Sequence, residues 1–520
     1  MNGAEAILRT ARGLGAEICL ANPGTTELPF VTAFDRVPGI RPVLGLAEAV
    51  CTGAADGYSR MTGRPALTLL HLGPGLANGL AYLHNARRAG SQVVNLVGDH
   101  STWHRAVDAP LQSDIKTLAA PMCVWVHETS SADSIPSEAS EAVTRSLQGP
   151  TCLVIPFDHQ SAEVDMTSFR LPPSASRTQV DAHAVEKVAT ALRTGKGPAA
   201  LFLGGSALSR RGLEAAKRIE DSTGCSLLQE TFPARAERGE GLPDPLKLPY
   251  LYEAARGALE EFELIVLAGA REPVSFFGYP GKRSSFVSDS TTVLELAGAP
   301  QDTVCDVEDA LERLAEQLSA ESGHSRRPTG KRPGREAGIP SGPLNPETFA
   351  MAVAAAQLEN CIVVDESVTS GFGYHAASAS SPQHTYVVPH LGGAIGHGLP
   401  VATGAALACP DRPVILLEAD GSAMYTLQAL WTQARESLHV VTVICANRSY
   451  RILQMEMGSV SKNDTSQRLL DISDPHLDWT NLAIGMGVDA VQVETAEGLY
   501  KALRAAVAEP GPHLIEALID

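Results

Sequence analysis

Residues 414–450 read VILLEADGSAMYTLQALWTQARESLHVVTVICANRSY, and the fold class is decided within them. The apolar run 414–417 is too short for a buried helix and suits a strand covered on both faces. It leads into Asp420-Gly421-Ser422. The acid stands at the strand's carboxyl end, Gly421 permits a tight turn, and Ser422 is placed to open a helix, near Ala423, whose first amides point outward as a phosphate requires. A second apolar run, 440–445, delivers Asn447 to the end of its own strand, with Ser449 two residues on. Strand, helix and strand at this spacing make a parallel α/β unit. Asp420, Asn447 and the backbone carbonyl of Ser449 supply hard oxygen donors of the kind Mg²⁺ prefers. Taken alone, the acid and the amide also fit turn positions in an ordinary doubly wound sheet.

Working outward, the same alternation recurs. Short apolar runs at 361–364, upstream, and at 66–70, 93–97 and 152–155, near the start, each sit between Gly, Pro or polar residues and helix-like stretches. A Pro- and Ser-rich seam at 171–177 separates a middle block with strands expected at 199–203 and 264–267. Residues 321–343, rich in Ser, Gly, Pro and basic side chains, cannot supply a buried face and read as a linker. The expected organisation is therefore 1–165, 180–320 and 344–520 as three α/β domains, each a doubly wound parallel sheet, with 321–343 between the last two.

Composition narrows the function. A chain of 520 residues with 44% hydrophobic content has ample core, and a formal net charge of -18 excludes a nucleic-acid partner. The one basic cluster, Arg326, Arg327, Lys331, Arg332 and Arg335, falls in the linker and reads as solvated. Nine cysteines without a CxxC pair suggest reduced thiols. No membrane segment or secretory signal is visible, so a cytoplasmic location is expected.

Glu48 is the second informative acid. It lies in the apolar stretch Leu44-Gly45-Leu46-Ala47-Glu48-Ala49, ahead of AADGYSR, and a buried acid is costly unless it has a partner or a task. Together with Asp420-Gly421-Ser422 and Asn447, 27 positions later (447 − 420), this stretch resembles the thiamine-diphosphate-dependent enzymes. The likeness extends through NPGTTELPF (22–30), His71, Asn78, Leu344-Asn345-Pro346, Asp365-Glu366-Ser367 and 392–400, and is nearest to benzoylformate decarboxylase and the acetolactate synthase large subunit. One departure is Ala419, where the family pattern has a glycine.

The resemblance implies pyrimidine-binding, central and diphosphate-binding domains, with thiamine diphosphate and Mg²⁺ as cofactors. It implies decarboxylation of a small 2-oxo acid, completed by protonation or by carboligation to an aldehyde or ketone acceptor. Glu48 would activate the coenzyme, with His71 and Thr25 facing the substrate. Asn78, Thr369, Gly393, Ile395, Gly421, Ser422 and Tyr450 would bind the coenzyme, and Asp420, Asn447 and Ser449 the metal. Glu48 of one chain would serve Asp420 of another, so at least a homodimer and commonly a homotetramer is expected. The substrate pocket is expected to draw on Thr25, Leu72, Phe372, Tyr374, His390 and Leu453. The decarboxylase's second histidine has no counterpart in 232–252, leaving His100, His104, His390 or His397 as candidate replacements. An acyl-coenzyme A lyase or oxidase, or a coenzyme-binding subunit without turnover, would share these motifs. Whether the central domain binds FAD is open.

Overall fold

The structure is a computed structural model that describes residues 1–173, 175–321, 340–457 and 464–519. Eighteen strands are described, beginning with β1 (Ile18–Asn22), β2 (Arg41–Leu44), β3 (Ala66–Leu70), β4 (Val93–Asp99), β5 (Trp125–Glu128) and β6 (Thr151–Pro156). These six form a sheet in the order β2-β1-β3-β4-β6-β5, parallel throughout. Every residue of β3, β4 and β6 is buried, as expected of a parallel sheet covered on both faces.

The middle segment contains β7 (Ala199–Leu203), β8 (Ser226–Gln229), β9 (Ala236–Arg238), β10 (Leu246–Lys247), β11 (Leu264–Ala268) and β12 (Thr292–Ala297). Its sheet runs β10-β8-β7-β11-β12, again parallel. The last segment adds β13 (Ile362–Glu366), β14 (His384–Val387), β15 (Val414–Ala419), β16 (Val440–Ala446), β17 (Asp489–Val493) and β18 (His513–Leu518). Here β17-β18-β16-β15-β13 lie side by side and parallel, while β14 pairs antiparallel with β9.

The described residues form three sheets, with β9 of the middle segment in the third, and the chain divides into two compact units. One comprises Met1–Ala175, Ala337–Ser381 and Val388–Asp520, the other Ser176–Glu336 and Pro382–Val387. The first and last blocks merge because two helices meet across small residues. A Cβ on Gly57 of the Glu48–Thr62 helix would lie 2.3 Å from the Val401 carbonyl oxygen, and one on Gly404 of the Gly398–Ala408 helix 2.0 Å from that of Ala54. Glycine at these two positions brings the backbones into contact and buries both helices along nearly their whole length. The linker's basic cluster lies outside the described residues.

After β15 the chain departs from the expected single helix. A one-turn helix, Asp420–Ala423, begins at the acid itself, and Ala429–Arg435 follows separately. All nine cysteines are free, and all but Cys409 are buried. No helix among the described residues is long and apolar enough to cross a membrane.

Candidate active site

Glu48 opens its helix and is only 8% exposed. Its Oε2 accepts a hydrogen bond from Asn78 Nδ2 at 3.1 Å, and its Oε1 lies against Gly75, where a Cβ would stand 2.9 Å away. His71 caps the Leu72–Ala89 helix that carries Asn78. Its Nδ1 is 2.8 Å from Glu27 Oε2. A ring nitrogen facing a carboxylate donates to it, so Nε2 is the nitrogen left for other work.

Glu27 is the buried acid beside His71 that sequence reasoning missed. It is fully buried, accepts the Gly24 N–H at 2.9 Å and the Thr26 hydroxyl at 2.6 Å, and is packed so tightly that a Cβ at Gly98 would fall 2.0 Å from its Oε1. The signal was an acid inside NPGTTELPF, ahead of Phe30, in a stretch used only for its resemblance. Thr26, rather than Thr25, approaches His71, at 3.2 Å from Nδ1, while Thr25 is exposed at the start of the Thr25–Glu27 turn.

At the carboxyl ends of β15 and β16 the Asp420 carboxylate is 3% exposed. It accepts the Gly421 and Arg448 amides at 2.8 and 2.6 Å. Burial pushes its pKa up to about 6, against the lowering effect of those amides. Asn447 Oδ1 accepts the Ser449 N–H at 3.0 Å, and its amide reaches Ser370 Oγ at 3.5 Å. Ala419 has φ −72 and ψ 141, ordinary for an L-residue, so replacing glycine there strains nothing. Gly421 is required for a different reason, since a Cβ would come within 2.6 Å of Tyr450 Cε1. Ser422 and Thr369 are both buried nearby in sequence to these groups. Three non-glycine residues with left-handed backbone adjoin predicted site residues: Leu72 (φ 49) after His71, Val368 (φ 50) before Thr369, and Arg448 (φ 57) after Asn447.

The glycine-rich segment 392–398 is pinned from both sides. Asn85 donates to the Ala394 carbonyl at 2.8 Å and accepts the Gly392 and Ala394 amides, and the Tyr82 hydroxyl donates to the Ile395 carbonyl at 3.1 Å. From below, Glu366 accepts the amides of Gly396, at 2.8 Å, and Gly398. Glu366 is in register with Glu418 on the adjacent strand, and both are fully buried. Burial raises both carboxyls above the usual range; Glu366 raises Glu418 further, while the hydrogen bond between them lowers Glu366. Gly393 has φ +82 and nothing beside the position of a Cβ, so it is glycine for its backbone alone.

Residues 1–120 match the thiamine pyrophosphate enzyme N-terminal TPP binding domain, and 370–517 the C-terminal TPP binding domain. Over its full length the chain is 45% identical to a Mycobacterium tuberculosis protein named for the acetolactate synthase large subunit (IlvX), covering 99% of it. The chain belongs to the thiamine pyrophosphate enzyme family. It is also 30% identical to the benzoylformate decarboxylase of Pseudomonas aeruginosa over 96% of each chain. Among solved structures, the thiamine diphosphate-dependent 4-hydroxybenzoylformate decarboxylase of Rhodococcus jostii RHA1 superposes with a TM-score of 0.85, at 27% identity and full coverage of both chains.

In this thiamine pyrophosphate enzyme the candidate replacement histidines differ in kind. His397 is fully buried, stacked on Tyr82 and bonded near Asn85 and the Pro389 carbonyl, with burial lowering its pKa to about 4. His390 lies 3.9 Å from Glu366, and His100 and His104 stack edge to face at 5.2 Å. In the central unit the stretch without histidine carries an aromatic group instead, Phe232 and Tyr250 packing on Phe276 at 5.2 and 5.1 Å. Two pocket expectations fail: Leu72 and Tyr374 are fully buried, the latter donating to Gln357 Oε1 at 2.7 Å. Phe372 and Leu453 are exposed.

Proposed function

We propose that this chain is a thiamine-diphosphate- and Mg²⁺-dependent enzyme that removes carbon dioxide from a small 2-oxo acid. The remaining fragment is protonated to an aldehyde or joined to an aldehyde or ketone acceptor. The observation that carries this reading is Glu48, a buried carboxylate held by a neutral amide, with no cation paired to it among the described residues. Such a group is costly unless it meets a polar ligand.

The residues present fit the coenzyme at both ends. At the metal end, no three His, Cys, Asp or Glu side chains cluster among the described residues, so an ion would rely on Asp420, Asn447 and the Ser449 carbonyl. That set is all oxygen, suited to Mg²⁺ completed by phosphate and water, and a cation would offset the burial of Asp420. Thr369, Ser422 and the Gly421 amide would hold the diphosphate, beside Tyr450. At the other end Glu48, oriented by Asn78, would hold a proton at the pyrimidine ring. Ile395 would fill the space beneath the two rings, and the Gly393 carbonyl would accept from the ring amine. Thiamine diphosphate, when bound, supplies the electron sink for loss of carbon dioxide. Glu27 fixes the His71 ring so that Nε2 would hold or move a proton at the substrate, and Thr25 would face the same substrate from the neighbouring turn.

The test is incubation with thiamine diphosphate, Mg²⁺ and a panel of 2-oxo acids, with and without aldehydes, followed by mass spectrometry. The expected result is a decarboxylated or ligated product that Glu48→Gln reduces by about 10²-fold or more. Unchanged turnover in Glu48→Gln, or tight coenzyme binding with no product from any acid, would sink the reading.

A further inference from the structure

In the central unit the chain enters the sheet at β7, moves to β8 on one side and later to β11 on the other. The carboxyl ends of β7 and β11 thus form the switch point at which open α/β sheets hold nucleotide ligands. A diphosphate there needs free loop amides, room against glycine, and cations. The loop after β7, Gly204-Gly205, has the composition for this.

The room is already taken. Glu230, at the end of β8, presses its carboxylate on the loop: a Cβ at Gly204 would lie 2.6 Å from its Cδ. The same carboxylate accepts the Gly205 amide. From the β11 side the loops touch directly, since a Cβ at Gly269 would lie 2.4 Å from the Gly204 oxygen, and Pro300 closes the approach to Gly205, 2.7 Å from where its Cβ would be. The neighbouring cations are also engaged, Arg211 with Glu312 at 2.6 Å and Arg271 with Asp302. Those pairs are half-exposed and weak, so a ligand could displace them. Glu230 decides, because its carboxyl fills the space where a phosphate would sit and consumes the amide that would bind it.

We propose that the Glu230 carboxyl group fills the diphosphate crevice of the central unit, so that the chain works without FAD or another adenine diphosphate there. Removing this carboxylate should open the crevice. The inference concerns the central unit alone and stands whether or not the 2-oxo acid reading holds.

The experiment uses the full chain saturated with thiamine diphosphate and Mg²⁺, so that the other diphosphate site is filled, and that first isotherm reports separately on the coenzyme reading. FAD and ADP are then titrated by calorimetry. The wild-type protein should carry no flavin absorbance and bind neither ligand, whereas Glu230→Ala should bind at least one about tenfold or more tighter. Glu230→Gln, which keeps the shape and so leaves the crevice filled, should show a smaller gain and guards against misfolding of the alanine variant. Stoichiometric flavin or ADP on the wild-type protein overturns the proposal. So does a Glu230→Ala variant, folded by its melting curve, that binds no better than wild type.

Discussion

Glu48 and Glu27 are both buried acids, yet they do opposite things with their oxygens. Glu27 spends both on protein donors, the Gly24 amide, the Thr26 hydroxyl and the His71 ring. It is therefore a positioning group for the imidazole, and Glu27→Gln turns one acceptor into a donor facing Nδ1 or the Gly24 amide. A charge-assisted hydrogen bond of this kind is worth about 1.5–3 kcal/mol, so chemical unfolding should show a loss of roughly that size. Turnover should fall about tenfold or more while affinity for thiamine diphosphate, measured by calorimetry, changes little. If both fall together, Glu27 supports the whole site rather than the ring. Of these two acids only Glu48 was legible in the sequence, because its neighbours are uniformly apolar. Glu27 follows two threonines and is separated from His71 by 44 positions, and nothing local announces that pairing. The left-handed torsions of Leu72, Val368 and Arg448 were equally hidden, since none of these residue types favours them.

At the scale of elements, strands were readable because parallel strands buried on both faces leave an unbroken apolar run, as in β3, β11 and β16. The broken helix after Asp420 was not, because the chain's helical pattern from Ser422 onward does not reveal that Thr426 bonds out to the Gly396 carbonyl, at 2.6 Å. Glu230 was passed over for a related reason: one acid after a strand is unremarkable until its neighbours are known. Burial pushes its carboxyl up to about 8, from a usual value near 4.5. The folded chain therefore holds a proton that the unfolded chain releases between these values. That contribution to stability is complete below about pH 4.5 and is lost as pH rises through 8. Denaturant unfolding of the central unit from pH 5 to 8 should show a decline that Glu230→Gln flattens, by roughly 2–4 kcal/mol at the upper end. Parallel pH profiles for the two proteins would show that Glu230 does not carry this dependence.

For the whole molecule, the seam of Gly57 and Gly404 joins the first block, which carries Glu48, to the last, which carries Asp420, in one compact unit. Both groups therefore belong to every chain, and the question is whether one coenzyme uses the pair from a single chain or one group from each of two. The family resemblance expects the second, with a two-fold dimer carrying two equivalent sites. Mixing two inactive variants separates the cases. In Glu48→Gln mixed with Asp420→Ala, subunit exchange at equal amounts makes about half of the dimers hybrid. If sites are shared, each hybrid has one site built from two intact groups and one from two altered groups. Activity should then recover to about one quarter of wild type as exchange proceeds, and should depend on the time allowed for it. If each site lies within one chain, every site in the mixture keeps one defect, and no amount of exchange restores turnover. A mixture that stays inactive after exchange has been verified by mass spectrometry of tagged subunits would place the whole coenzyme site inside one protomer.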